Sequence, residues 1–99
     1  DGVFHAIADG NRRKILVLLA QREMAVHEMV APLGVTVGAV SQHLKILREN
    51  GLVTRRKSGR HRYYRAVPDS LDGVRAWTEK YRSFWESQFD ALEEFLDNR

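Results

Sequence analysis

Apolar positions recur every three or four residues over much of this chain, which is the spacing of one face of an α-helix. A short helical segment is predicted over residues 3–8. A second helix follows, and Asp9 or Asn11 is expected to cap its start. The apolar face of this second helix is formed by Ile15, Leu16, Leu18 and Leu19.

The middle of the chain has the pattern of two helices joined by a tight turn. A third helix is predicted near Val26 to Ala31, and a glycine-bearing turn follows over residues 32–35. Thr36 is expected to cap a fourth helix that continues to about Glu49, with Asn50-Gly51 as its left-handed C-terminal cap. This order of elements, over about 26–49, predicts a helix-turn-helix.

After Gly51 the pattern changes to β-branched and aromatic residues in two runs, 52–57 and 60–67, with Ser58-Gly59 between them. This arrangement predicts a β-hairpin, the wing, over about 52–67. A last helix is predicted over about 69–97. The expected fold is therefore mainly α with a small β-hairpin (α+β), a single winged helix-turn-helix domain over 1–99.

The last helix carries one continuous apolar stripe, at steps of three or four residues: Leu71, Val74, Trp77, Tyr81, Trp85, Phe89, Leu92 and Leu96, widened by Phe84 and Phe95. A body of about 65 residues is too small to cover it, and a soluble monomer rarely exposes so large a patch. We therefore expect a homodimer, with a ligand pocket between aromatic helices as the alternative. The expected dimer interface uses helices from both ends of the chain: Phe4, Ile7, Trp77, Tyr81, Phe84, Trp85, Phe89 and Leu92.

Length and composition limit the class of protein. With 99 residues, the chain has room for one hydrophobic core. The absence of cysteine excludes disulfides and thiolate metal sites. No apolar run approaches the roughly 20 residues that span a bilayer, and no signal peptide is recognised. We expect a cytoplasmic protein without a membrane partner.

Charge is distributed unevenly along the chain. Residues 1–67 hold 12 Lys and Arg against five Asp and Glu, whereas residues 68–99 hold four against eight. This asymmetry favours a polyanionic partner for the first two-thirds of the chain over an evenly solvated surface.

The fourth helix divides into two faces on a helical wheel. Val37, Val40, Leu44 and Leu47 are expected to pack inward, opposite Gly38, Ser41, Gln42, Lys45 and Glu49. Gln42 has the bidentate geometry that reads adenine, whereas Ser41 and Lys45 suit base edges or phosphates. An ordinary amphipathic surface helix is the alternative, although Gly38 weakens a helix by about 1 kcal/mol. His43, at the edge of the apolar arc, is expected to be packed and hydrogen-bonded.

The predicted wing carries six cations and no acid between Leu52 and Val67. Cations concentrated at a glycine-bearing tip suit phosphates or a narrow minor groove. A charged edge strand that resists aggregation is the alternative. Tyr63 and Tyr64 are expected to face opposite ways, with a stacking platform for single strands as the second interpretation. The expected DNA contacts are Thr36, Val37, Gly38, Ser41, Gln42, Lys45, Lys57, Arg60 and Arg62.

Three cations, Arg12, Arg13 and Lys14, lie in the first turn of the second helix, where the helix dipole disfavours positive charge. Their position predicts partners that are acidic side chains or phosphates. We expect Arg12 or Arg13 to form a structural ion pair.

These motifs resemble those of the ArsR family of bacterial repressors. The match is carried by FHAIAD at 4–9, RRKIL at 12–16 and AVSQHLKILRENGLV at 39–53, and it continues through Gly59-Arg60 into Tyr63-Tyr64. The resemblance implies a dimer of winged helices joined through the first and last helices. It also implies repression of the protein's own operon through an inverted repeat.

The chain departs from the metal-sensing members of that family. Their third helix carries cysteines, where this chain has EMAVHEM at 23–29 with Ala25 in the thiolate position, which also removes the usual Ser cap. Other members bind zinc on the last helix, but all four histidines here precede residue 68. The resemblance is therefore to the metal-independent branch, and we expect no metal and no cofactor.

Other functional classes fit the sequence less well. No phosphate loop, nucleophile elbow or paired carboxylates indicate an enzyme. A winged helix used only for protein interactions predicts a neutral wing. An RNA-binding role is disfavoured because a recognition helix does not enter the deep, narrow major groove of A-form RNA.

Overall fold

The computed structural model describes residues 2–97, and within them five helices and three strands follow one another along the chain. In order they are α1 (Gly2–Ile7), α2 (Gly10–Gln21), β1 (Met24–Ala25), α3 (Val26–Leu33), α4 (Val37–Glu49), β2 (Val53–Ser58), β3 (His61–Ala66) and α5 (Asp72–Asp97). The predicted winged helix-turn-helix is confirmed, with α3 and α4 as the two helices and β2 and β3 as the wing.

The hydrophobic core lies between α2, α3, α4 and the base of the wing. Its fully buried large side chains are Ile15, Met29, Val40, Leu44, Leu47 and Leu52. Val40, Leu44 and Leu47 recur at helical spacing on α4, so burying them fixes which face of this helix points to solvent. The core thereby sets the orientation of the helix predicted to read DNA.

Caps define where the helices begin and end. The Asp9 carboxylate accepts from the backbone N–H groups of Asn11 (2.8 Å) and Arg12 (3.1 Å), so the predicted cap of α2 is Asp9. Gly34 and Gly51 follow α3 and α4 at φ of +67° and +73°, a conformation that favours glycine. The glycine-bearing turn of the helix-turn-helix and the glycine end of α4 are confirmed.

The cap at Asp9 makes stability pH-dependent. The hydrogen bond from the Arg12 N–H, helped by Asn11 and by nearby positive charge, holds the pKa of Asp9 below its usual range. A lowered pKa in the folded state stabilises the fold above the ordinary carboxyl pKa, and this stabilisation is lost as the pH falls.

We expect Asp9→Asn, which keeps an acceptor but does not titrate, to lose less thermal stability than wild type between about pH 6 and pH 3. Circular dichroism melts at one protein concentration measure this difference. The other titrating groups are present in both proteins, so the difference between the two pH profiles reports on position 9. Equal losses of stability would contradict the role of the Asp9 carboxylate.

Two arginines hold the end of α1. Arg12 donates from Nε to the Ala6 carbonyl (2.6 Å) and from Nη2 to the His5 carbonyl (3.1 Å). Nη1 of Arg13 donates to the carbonyls of Ile7 (2.9 Å) and Ala8 (3.0 Å). The prediction of an ion pair for Arg12 or Arg13 is wrong within residues 2–97. Short α1 leaves carbonyls without helical partners, and the guanidinium groups satisfy them.

A third strand, β1, was not predicted. The sheet is antiparallel with the order β1-β3-β2, and Met24 and Ala25 lie opposite Tyr64 and Tyr63 of β3. Two residues are too few to show an alternating pattern. Their pairing with β3 depends on the fold and brings the wing against the start of α3.

Two helix boundaries differ from the prediction. α3 continues through Pro32 to Leu33, which is buried. The last helix begins at Asp72, not near residue 69. The Ser70 hydroxyl donates to the Val67 carbonyl (2.8 Å), closing a turn between the wing and α5.

Helix α5 extends away from the rest of the molecule. None of its residues is buried, and at 1.5 Å per residue its 26 residues span about 39 Å. The radius of gyration is 18.6 Å, against about 13 Å for a compact chain of this length.

No single helix within residues 2–97 is both long and apolar enough to cross a membrane. The α3–α4 pair reaches that length and composition only together, with a bend of 109° between them.

Candidate nucleic-acid interface

An open groove of about 650 Å³ lies between the wing and the first turns of α3 and α4. Helix α4 contributes Val37 and Ser41, and the wing contributes Lys57, Arg60 and Arg62. Five residues of the predicted DNA-contacting set are therefore brought to one groove. Because helix N-termini carry partial positive charge, the start of α4 adds to the positive potential of the wing.

The polar face of α4 continues from this groove along the molecular surface. Gly38, Ser41, Gln42 and Lys45 are all exposed, as the helical wheel predicted. Thr36 caps the helix, since its Oγ1 accepts from the Ala39 N–H at 3.1 Å. The small residues at the start of α4 leave space for a close approach of another molecule, and the longer Gln42 and Lys45 follow within the next two turns.

Val37 is not part of the core. The prediction that it packs inward with Val40, Leu44 and Leu47 is wrong, because 55% of Val37 is exposed. It is the first residue of α4, where the helix has not yet reached the core, and its side chain lines the groove beside Ser41. Its predicted DNA contact stays a prediction, now with a location that suits it.

The six cations of the wing divide into two groups by their partners. Arg56 forms an ion pair with Glu23, with Nε–Oε2 at 2.9 Å and Nη2–Oε1 at 2.5 Å. Arg65 also lies near enough to Glu23 to lower its pKa. Nη1 of Arg55 lies 3.4 Å from the Tyr64 hydroxyl.

The remaining three cations, Lys57, Arg60 and Arg62, have no carboxylate partner within residues 2–97. Lys57 and Arg62 lie directly opposite each other on β2 and β3. Like charges in this position destabilise a sheet. The groove is therefore lined by positive charge that no carboxylate of residues 2–97 neutralises.

Glu23 contacts the wing through an exposed ion pair with Arg56, which local sequence patterns did not reveal. Its ion pair with Arg56 lowers the pKa of Glu23 and raises the pKa of Arg56, and in both cases their hydrogen bond is the largest cause. The Arg56 guanidinium also lies 5.1 Å from the centre of the Tyr63 ring. Only the tertiary fold brings Glu23 and Arg56, 33 positions apart, into contact.

Two further predictions about the packing of side chains near the wing and α4 are confirmed. Tyr64 is buried and Tyr63 is half-buried on the other face, so the tyrosines divide as expected. His43 is half-buried, and its Nδ1 lies 3.4 Å from Nη1 of Arg12.

A second candidate surface is formed by α5 and α1. The aromatic and aliphatic side chains of the α5 stripe from Trp77 to Leu96 are between 46% and 62% exposed. Phe4 of α1 meets Trp77 edge-to-face, with ring centres 5.3 Å apart, so both helices contribute to one apolar surface. Ile7 is half-buried and packs against the core. The assignment of this surface to a dimer stays a prediction.

The donor atoms of the chain do not fit the metal sites of the metal-sensing members. Ala25, the N-cap of α3, has no donor side chain, and the Glu28 carboxylate instead accepts from its N–H at 2.9 Å. Helix α5 contains no histidine. Within the described residues, no three His, Asp or Glu side chains are grouped so that they could hold a metal ion.

Comparisons with known proteins agree with this architecture. Residues 9–55 match the family described as "Bacterial regulatory protein, arsR family". The chain is 36% identical over 98 residues to the HTH-type transcriptional regulator Rv2034 of Mycobacterium tuberculosis, covering 99% of this chain and 89% of that protein. In five further curated regulators, the aligned segment covers between 29% and 51% of their length, and three of these are named as SmtB repressors or a homologue of one.

Solved structures show the same fold. A protein described as "possible transcriptional regulator for arsenical resistance" is 40% identical, with a TM-score of 0.73 and 90% of each chain covered. An ArsR-like transcriptional regulator from Rhodococcus sp. RHA1 is 28% identical, with a TM-score of 0.76 over 99% of this chain and 90% of the other. The sequence motifs, the winged helix-turn-helix and these relatives agree. The chain belongs to the ArsR family of bacterial transcriptional regulators.

Proposed function

We propose that this protein is a homodimeric, sequence-specific transcriptional repressor that binds an inverted repeat in duplex DNA. One observation carries the proposal: three cations without acidic partners in the described chain, Lys57, Arg60 and Arg62, lie in one groove with the start of α4. Phosphates of a DNA backbone would neutralise this groove. The exposed polar face of α4 begins at the same groove and would read the bases.

The proposed reading of DNA uses the small residues of α4 first. Gly38 and Ser41 allow the N-terminal half of the helix to approach the floor of the major groove, where Gln42 is within reach of adenine. Lys45, one turn further, suits guanine or a phosphate. The wing would then lie along the adjacent phosphates. Thr36 and Val37 would make the remaining contacts at the start of the helix.

The exposed stripe of α5 supports the homodimer. Two copies that bury this stripe against each other would remove its exposed apolar side chains from water, and closed twofold symmetry is the commonest arrangement. The charges of α5 favour antiparallel helices. Its first half holds three bases (Arg75, Lys80 and Arg82) and two acids (Asp72 and Glu79), whereas its second half holds five acids (Glu86, Asp90, Glu93, Glu94 and Asp97) and no base.

Twofold symmetry has a consequence for the DNA site. It would place two recognition helices about 34–36 Å apart, one turn of DNA, and would make the operator an inverted repeat.

Repression and autoregulation rest on the family, several members of which are named repressors. The proposal places the protein in the cytoplasm. A signal other than a metal is proposed to release it from DNA, because Ala25 stands in the thiolate position of α3 and α5 contains no histidine.

Competition between nucleic acids tests DNA binding directly. Fluorescence anisotropy with a labelled duplex pool, challenged by single-stranded DNA, duplex RNA and unlabelled duplex at several salt concentrations, should show preference for duplex DNA. Equal competition by all three would overturn the proposal. Failure to bind any of the three nucleic acids would favour a winged helix used for protein interactions. That role would leave the cationic groove unexplained.

Arg60→Ala is expected to weaken binding to all duplexes by a similar factor. It should also lower the slope of log affinity against log salt by about one unit, because one phosphate contact is lost. Arg22→Ala removes the same charge outside the groove, where Arg22 pairs with Glu28 at 3.0 Å. This control should leave the slope unchanged. An unchanged slope in Arg60→Ala would show that the wing tip does not contact phosphate.

A further inference from the structure

Arg12 connects α1 to the recognition helix α4. It is the one charged residue of the described chain that is buried, with 8% of its surface exposed. Two of its donors are used by the Ala6 and His5 carbonyls of α1. A third nitrogen, Nη1, lies 3.4 Å from Nδ1 of His43 on α4. One side chain of α2 thereby contacts both the helix proposed for self-association and the helix proposed to read DNA.

The chemistry of this contact favours one protonation state of His43. A guanidinium group has only donors, so a hydrogen bond between Arg12 and His43 requires a lone pair on Nδ1. The ring must then be neutral, with its proton on Nε2. A protonated imidazole would present a second N–H, and a second positive charge, to the Arg12 guanidinium. The contact therefore exists in only one charge state of His43.

The other groups that face His43 do not replace this contact. The Asp9 carboxylate is near enough that both His43 and Arg12 help to lower its pKa, but its Oδ1 already caps α2. The side chains one turn away on α4 itself are apolar, at positions 39, 40, 46 and 47. Helix α1 meets Arg12 with backbone carbonyls and not with an acidic side chain. The Arg12 guanidinium would repel a protonated His43, and the Asp9 carboxylate would attract it.

We propose that Arg12 is a positioning residue that sets α4 relative to α1 through neutral His43, and that protonation of His43 weakens DNA binding. The proposal rests on the proposed function, since its readout is the affinity for duplex DNA. A proton bound at Nδ1 of His43 removes the lone pair that the contact with Arg12 needs. Repressor release by acid would follow without any metal or small-molecule ligand.

His43→Asn gives a matched comparison, because its Oδ1 can accept near the position of Nδ1 and does not titrate. Duplex affinity at constant ionic strength is measured for both proteins from about pH 8 to pH 5.5. We expect equal affinities at high pH and a wild-type affinity that falls about two- to tenfold below that of His43→Asn in acid, the range for one lost hydrogen bond. His27 and His61, which line the groove with their rings 5.9 Å apart, are retained in both proteins, so their contribution cancels.

The same comparison in a protein that carries Arg12→Lys separates positioning by Arg12 from a general effect of its charge. Lysine keeps the positive charge but cannot make the three contacts of Arg12 at once. In this protein, histidine and asparagine at position 43 should give the same affinity for duplex DNA in acid. Circular dichroism and sedimentation at each pH confirm that the variants compared are folded and dimeric. Persistence of the difference in Arg12→Lys would overturn the role of Arg12. Parallel pH profiles of tightly bound wild type and His43→Asn would overturn the inference alone, whereas absence of duplex binding at pH 8 would overturn the proposed function.

Discussion

Trp85→Glu is expected to convert the protein to monomers at micromolar concentration. Trp85 lies near the middle of the exposed α5 stripe, with 53% of its surface exposed in the single chain. Central aromatic residues of an interface contribute about 2 kcal/mol or more each, and twofold symmetry makes the change twice in every dimer. The dissociation constant of the dimer should rise about a thousandfold, because two changes of about 2 kcal/mol amount to about 4 kcal/mol and each 1.4 kcal/mol is a factor of ten.

Analytical ultracentrifugation measures this effect, and Ser83→Glu is the matched control. Ser83 lies on the opposite face of α5, so the same new charge there should leave the dimer intact. The winged helix of the Trp85→Glu protein should stay folded, because α5 contributes no buried residue to its core. A dimer that persists in Trp85→Glu would place the interface elsewhere.

Gln42→Ala is expected to lose discrimination between DNA sequences while it keeps its affinity for unrelated duplexes. A bidentate contact with adenine contributes about 1–3 kcal/mol of discrimination against the wrong base. Nonspecific affinity comes from phosphate contacts, which the substitution leaves in place. Binding-site selection followed by competition with single-base variants of the selected site measures the change at each position.

Gln21→Ala serves as the control for Gln42→Ala, because Gln21 is an exposed glutamine at the end of α2, away from the recognition helix. It should leave the sequence preference unchanged. If Gln42→Ala retains the full preference of wild type, the reading of bases falls to other residues of α4, first of all Ser41 and Lys45.

Local patterns were sufficient to predict the elements that position the candidate site. The apolar spacing of Val40, Leu44 and Leu47 identifies the buried face of α4, and the exposed face follows from it. Turn chemistry placed Gly34, Gly51 and the wing tip, where Gly59 adopts a φ of +61°. These features depend on residues a few positions apart, so the sequence contains them directly.

The features that the sequence did not predict depend on contacts between distant elements. β1 needs β3 as its partner, and Glu23 needs Arg56 across the wing. The carbonyl acceptors of Arg12 and Arg13 belong to the preceding helix and its end, and a backbone carbonyl leaves no mark in the sequence. Val37 was misassigned because a helical wheel treats the first residue of a helix like any other, although the core does not extend to the start of α4.

Homodimeric, sequence-specific binding of DNA is tested by selecting sites from random duplexes and measuring the number of chains bound to the selected site. We predict two half-sites related by a dyad, with centres one helical turn apart, occupied by two chains. Selection of a single asymmetric site bound by one chain would contradict the proposed homodimer. No enrichment over the starting pool would contradict sequence-specific DNA binding itself.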